Sequence, residues 1–255
     1  MSTPNLSTEP RPTGVVGWRW APAWVLAYVA LWPAPGIAEG VLVLGALLAL
    51  FKLVVSRFRG GGQLLTHQAW ALTSVLFCAY WVPELASALD AVDRARALKE
   101  AAADLRYLPF LWLAAAAVGD ARGRRITFVG LAILLGAWTL DALVEAVAGT
   151  SPLFSGKAAA WHVLTGKQVC RPEEILEATR LSGVLGPCNP KLGQVFASLS
   201  PFALYAAGRR FRGWGWLAAA AAIGVVILLT GSRASWITYA LVLAVSGWRL
   251  LGAKR

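Results

Sequence analysis

The chain has 255 residues, 58% of them hydrophobic and only 15% charged, with a formal net charge of +11 and a pI near 10.2. Soluble domains carry roughly 25% charged residues, and one soluble core cannot absorb so large an apolar share in so short a chain. A basic excess of this size would suit nucleic acid in a soluble protein. Here it sits in short clusters between apolar runs, which excludes a nucleic-acid face and reads as a set of membrane-topology signals.

In chain order the apolar runs fall at 18–33, 38–55, 66–83, 105–119, 126–148, 190–208, 214–231 and 234–251. Each is near the roughly 20 residues that cross a bilayer as a helix. The fold class is therefore all-α: a polytopic membrane helix bundle of about eight spans, forming one transmembrane domain over 1–255. The first run is bracketed by Pro22 and Pro33. The fourth is short, so that Arg106 is expected to snorkel. Arg11 and Arg19 ahead of a short apolar run, with Pro-Gly-Ile-Ala at 35–38, also fit a signal peptide. Its removal would leave the orientation of the other spans unchanged.

With a cytoplasmic N-terminus, the inner segments hold Arg11 and Arg19; Lys52, Arg57 and Arg59; Arg122, Arg124 and Arg125; Arg209, Arg210 and Arg212; and Arg249, Lys254 and Arg255. Their acids are Glu9 and Asp120, so the inside carries +12 and the outside −1, together the +11 of the chain. The positive-inside rule then gives N-in and C-in. Thirteen Trp suit the headgroup level of such a protein.

Two outer segments stand apart. Residues 84–104 set Leu85, Leu89, Val92 and Leu98 among charged residues, the pattern of an amphipathic helix lying at the interface. Residues 149–189 form the longest polar stretch, a loop whose length points to function or flexibility. Cys170 and Cys188 both fall in it, and an oxidising compartment permits, without requiring, a bridge between them. Cys78 falls within a span and is expected to be buried. No zinc-ligand spacing is present. His67 reads as an interface residue and His162 as a solvated loop residue. Asp141 and Glu145, spaced i, i+4, share a helix face near the outer end of their span. Carboxylates at that depth pair or line a cavity. The plainer expectation is an interfacial Glu145 and an Asp141 paired with an Arg.

The functional signal lies in two stretches. Residues 179–201 read Thr-Arg-Leu-Ser-Gly-Val-Leu-Gly-Pro-Cys-Asn-Pro-Lys-Leu-Gly-Gln-Val-Phe-Ala-Ser-Leu-Ser-Pro, and 228–240 read Leu-Leu-Thr-Gly-Ser-Arg-Ala-Ser-Trp-Ile-Thr-Tyr-Ala. Each puts an Arg, Arg180 and Arg233, at the outer end of a span. The turn Thr230-Gly231-Ser232 is so tight that Arg233 stays at the membrane surface. Two guanidinium groups there suit a phosphate-bearing headgroup, which Arg grips bidentately. The plainer reading is that Arg233 is an interface anchor.

Arg-x-x-Gly-x-x-Gly-x-x-Asn-Pro, followed one span later by Leu-Thr-Gly-Ser-Arg-Ala-x-Trp, resembles the bacterial O-antigen ligase and O-antigen polymerase superfamily. The likeness covers roughly residues 104–245 and is most specific at 180–190 and 228–236. It implies a multi-pass glycosyltransferase of the inner membrane. Such an enzyme moves a glycan on the periplasmic face from undecaprenyl pyrophosphate to an acceptor such as lipid A–core, without metal or cofactor. It implies that Arg180 and Arg233 hold the pyrophosphate, with Asn189, Lys191 and Ser232 as further substrate-binding residues. In the ligases a His in a large periplasmic loop after the second motif usually serves as base. No His follows Arg233 here, and His162 precedes both motifs, so no catalytic base is assigned. The family also usually has about twelve spans, so the chain is expected to be an N-terminal portion or a shortened relative. Alternatives are a transporter of isoprenoid-linked glycan, using the Arg pair and the Asp141/Glu145 face as its path, and a non-catalytic membrane scaffold.

Overall fold

The computed structural model describes residues 18–58, 65–170, 175 and 180–252. The elements are α1 (Ala21–Leu31), α2 (Pro35–Phe58), α3 (His67–Leu89), α4 (Arg94–Asp104), α5 (Tyr107–Ala117), α6 (Ala121–Ala148), α7 (Pro152–Thr165), a 3-10 turn (Gly183–Leu185), α8 (Leu192–Leu229) and α9 (Arg233–Gly252). Among the described residues there is no strand. Among the described residues, three helical stretches are long and apolar enough to cross a membrane: Gly36–Ser56, His67–Leu89 and Ala121–Ala148. Large apolar side chains stand exposed along α2 and α3, Leu47, Phe51, Leu72 and Val75 among them. Contiguous apolar surface of this kind suits lipid rather than water. The signal-peptide alternative draws partly on residues before 18, which lie outside the described residues.

The chain divides into two compact units, Met1–Thr127 and Phe128–Arg255. In the first, α1, α2 and α5 pack around Trp18, Leu42, Ala46, Phe110 and Leu113. The start of α1 and the ends of α2 and α5 share one end of the unit, where Lys52 lies 4.8 Å over the Trp18 ring. At the start of α5, Arg106 pairs with Glu39 of α2 at 2.7 Å. Helices α1 and α5 have 11 residues each, about 17 Å of helix, shorter than the runs at 18–33 and 105–119 suggested.

The expected helix over 84–104 is divided. α3, capped by the Thr66 side chain on the Ala69 N–H, passes through Pro83 and ends at Leu89. A new helix, α4, begins after Asp93, whose side chain accepts from the Arg96 N–H at 3.1 Å. α4 lies on α3: Trp81 Nε1 donates to the Ala101 carbonyl at 2.7 Å, and the Tyr80 hydroxyl to Asp104 at 3.1 Å. Cys78 is exposed on α3 rather than buried. α3 turns Phe77 and Ala88 inward, and Cys78 falls on its outer surface. His67 is exposed in the first turn, as expected of an interface residue, its ring 6.4 Å from that of Trp70.

In Phe128–Arg255 the runs 190–208 and 214–231 form two limbs of α8, which has 38 residues. Straight, it would hold its ends about 57 Å apart. It doubles back instead. A Cβ on Gly215 would meet the Ala207 carbonyl oxygen at 2.8 Å, and one on Gly193 would meet Ser235 Oγ at 2.9 Å. The first limb runs antiparallel to α6: Leu192 approaches Gly183 beside Ala142, while Phe202 and Tyr205 meet Phe128 with ring centroids 5.1 and 6.0 Å away. The second limb is antiparallel to α9, joined by Tyr239 donating to the Ala220 carbonyl at 2.7 Å and Trp236 Nε1 to the Ile227 carbonyl at 3.1 Å.

Candidate functional site

The site forms where the turn between α8 and α9 meets the segment that enters α8. Thr230 closes α8 and donates its hydroxyl to the Ile227 carbonyl at 2.7 Å. Gly231 follows with φ +68, a left-handed conformation that L side chains rarely adopt. The Ser232 carbonyl accepts from the Trp236 N–H, and its hydroxyl from Ser235 at 2.9 Å, so Ser232 caps α9. The turn can be this tight because Gly193, in the first turn of α8, leaves room for Thr230 and Ser235, both buried.

Arg180 lies across this turn. Its Nε stands 3.7 Å and its Cγ 3.9 Å from the place a Gly231 Cβ would occupy, and the next residue, Leu181, donates its N–H to the Leu229 carbonyl at 3.3 Å. Arg233, two residues beyond Gly231, is exposed at the start of α9. Lys191, also exposed, immediately precedes Leu192 and Gly193. Asn189 accepts the Lys191 N–H on Oδ1 at 3.1 Å and donates its own N–H to the Gly186 carbonyl at 3.0 Å. The structure thus lays Arg180 over the turn that leads into Ser232 and Arg233, with Lys191 two residues before the Gly193 that packs on this turn and Asn189 bonded to Lys191; Arg180, Lys191 and Arg233 are exposed. That arrangement is suited to an anionic group.

The Arg180 segment is held from three sides. Glu145 accepts from the Ser182 N–H at 3.2 Å, the Ser182 hydroxyl at 2.8 Å and the Gly183 N–H. Lys157 of α7 donates to the Val184 and Leu185 carbonyls at 3.0 and 3.3 Å. Its burial pulls the amine down from its ordinary value to about 8. Cys170 and Cys188 are bridged, their Cα atoms 5.6 Å apart. Gly186, at φ +87, accommodates the Phe154 ring, which a Cβ there would strike.

Among the described residues, Asp141 has backbone and hydroxyl donors rather than an Arg as its hydrogen-bond partners. It is buried and accepts from the Ser151 hydroxyl at 2.7 Å and the Leu153 N–H at 2.8 Å. Open backbone donors at the start of α7 answer the carboxylate instead. The described residues of 149–189 include α7 and the 3-10 turn, where a loop was expected. His162 is exposed in the last turn of α7, at the other end of that helix from its bonded first turn. No His/Cys/Asp/Glu cluster able to hold a metal occurs among the described residues.

The sequence reading missed Lys157 and Gly193. A lone Lys in a polar stretch and a Gly in an apolar run carry no local signal, and both act through partners distant in the chain. Compared with family models, curated proteins and solved structures, the chain matches none of them.

Proposed function

We propose that the chain is an inner-membrane glycan transferase of the O-antigen ligase type. It takes a glycan from undecaprenyl pyrophosphate and passes it to an acceptor such as lipid A–core. One observation carries this reading: the Arg180 side chain lies over Gly231, two residues before Arg233, so that two motifs some 50 residues apart meet at one turn. Arg180 and Arg233 grip the pyrophosphate and stabilise the charge that grows on it as the glycan leaves. Lys191, Asn189 and Ser232 complete the anion's surroundings. No residue is assigned as the base.

In this reading the chain crosses the membrane about eight times, N-in and C-in, with the Arg turn on the periplasmic face. The contacts within each unit support that order. In Phe128–Arg255, Phe128 meets Tyr205, and both stand near the ends of their runs that this order assigns to the inside. In Met1–Thr127, Lys52 and Trp18 likewise share the end assigned to the inside. The hydrogen bonds that occupy Asp141 and Glu145 weigh against their use as a translocation path.

The test is glycan transfer by Arg180→Lys and Arg233→Lys in the protein as encoded in its host, with the amount of protein in the membrane as control. Lys keeps the charge and loses the planar fork. Each variant is expected to lose transfer roughly tenfold, the equivalent of one charge-assisted hydrogen bond of about 1.5 kcal/mol. Full transfer by both variants would make the pair interface anchors and end the phosphate reading.

A further inference from the structure

Met1–Thr127 contains a cavity of about 360 Å³ where the starts of α1 and α6 meet the end of α5. Its walls combine opposite chemistries. Trp18 and Ala117 are buried and form an apolar interior, while Arg19 and Arg122 stand exposed beside it. Outside the lining, Lys52 lies 4.8 Å over the Trp18 ring. Trp20, at 69% exposure, presents its indole outward at the same opening. Two helices begin here and α5 ends here, so the partial positive charge of two helix starts is set against the partial negative charge of one helix end. The one carboxylate in the lining, Asp120, opposes an anion in charge, but it is engaged with the Gly123 N–H at the start of α6.

We propose that this cavity binds the headgroup of an anionic phospholipid. Arg19 and Arg122 take the phosphate, and the apolar interior takes the glycerol and first methylenes. Trp20 sits at the headgroup level, where indole rings are favoured. A cavity that is cationic at the rim and apolar within matches a molecule that is anionic at one end and apolar at the other. A free phosphate matches only the rim. Basic pockets among membrane helices take anionic headgroups for the same reason. The proposal does not depend on the phosphate reading of Arg180 and Arg233, whose residues belong to the other unit.

The test is native mass spectrometry of the intact protein in detergent with dioctanoyl phosphatidylglycerol, dioctanoyl phosphatidylcholine or inorganic phosphate. The wild type is expected to retain phosphatidylglycerol in preference to phosphatidylcholine. The Arg19→Gln/Arg122→Gln variant is expected to lose that retention by about tenfold, as two charge-assisted contacts disappear. Arg209→Gln/Arg210→Gln removes the same charge elsewhere and is expected to retain the lipid. Both cavity Arg are exposed, so the apolar cluster stays intact. Should the double variant elute as an aggregate, Arg122→Gln alone carries the test, with a smaller loss in the same direction. Unchanged retention in the cavity variant, equal losses in the two double variants, or displacement of the lipid by inorganic phosphate would each overturn the proposal.

Discussion

In Met1–Thr127 the helices meet through an apolar cluster, and ion pairing between them, such as Arg106 with Glu39, lies at the helix ends. In Phe128–Arg255, apolar packing of α8 on α9 is joined by three charged side chains that each grip another segment's backbone. Asp141 holds the Leu153 N–H, Glu145 the Ser182 and Gly183 N–H groups, and Lys157 the Val184 and Leu185 carbonyls. The difference is instructive because apolar burial has no direction. It brings helices together without specifying how a connecting segment lies. Hydrogen bonds to charged groups do specify it, and here they are concentrated on the segment that carries Arg180.

The largest effect is expected at the centre of the apolar cluster. Leu113 is fully buried in the first unit's cluster, and Leu113→Ala should cost about 2–5 kcal/mol. It should lower the thermal midpoint in detergent while leaving thiol labelling of Cys170 and Cys188 unchanged. If the apolar unit tolerated this substitution with no shift, the comparison between the two units would lose its first half.

A smaller effect belongs to the bridge. Cys170 and Cys188 close a loop of 18 residues, and the chain-entropy account gives such a loop about 3 kcal/mol. Reduction should lower the thermal midpoint, and a thiol reagent should label both residues only after reduction. Cys78, exposed on α3, should react with a membrane-soluble reagent in either state. Labelling of Cys170 and Cys188 in unreduced membranes would remove one of the three restraints on the Arg180 segment.

The helical class was legible because apolar runs near the length of a span leave little else for a backbone to do. The place of Arg233 beside the Gly231 turn was legible for a related reason: a turn of three residues between two apolar runs leaves it nowhere else to go. Partner choice was less so. The spacing of Asp141 and Glu145 put both on one face, but spacing does not say whether a guanidinium or an open backbone N–H will answer a carboxylate. That depends on where α7 begins, which Ser151 and Pro152 set locally and the return of the chain sets globally. The reversal within α8 was legible for a different reason: two apolar runs are separated by a basic cluster that includes Arg209 and Arg210, and the chain turns back between them.

The smallest effect is the most specific. Glu145→Gln preserves shape and one acceptor oxygen but removes the charge and replaces the second oxygen with an amide donor. That donor would face the Ser182 or Gly183 N–H groups, both of which need an acceptor. The cost should be roughly 1.5–3 kcal/mol, the range for hydrogen bonds to a charged group. It should fall on the Arg180 segment rather than on the bundle, because α8 and α9 remain joined by Tyr239 and Trp236. The expected result is faster amide exchange at 181–185, with exchange in α9 unchanged and the thermal midpoint lowered less than by Leu113→Ala. If Glu145 served only to solubilise a helix end, exchange at 181–185 would match wild type. A loss of protection spread evenly over α8 and α9 would place the carboxylate in general packing and would dissolve the contrast between the two units.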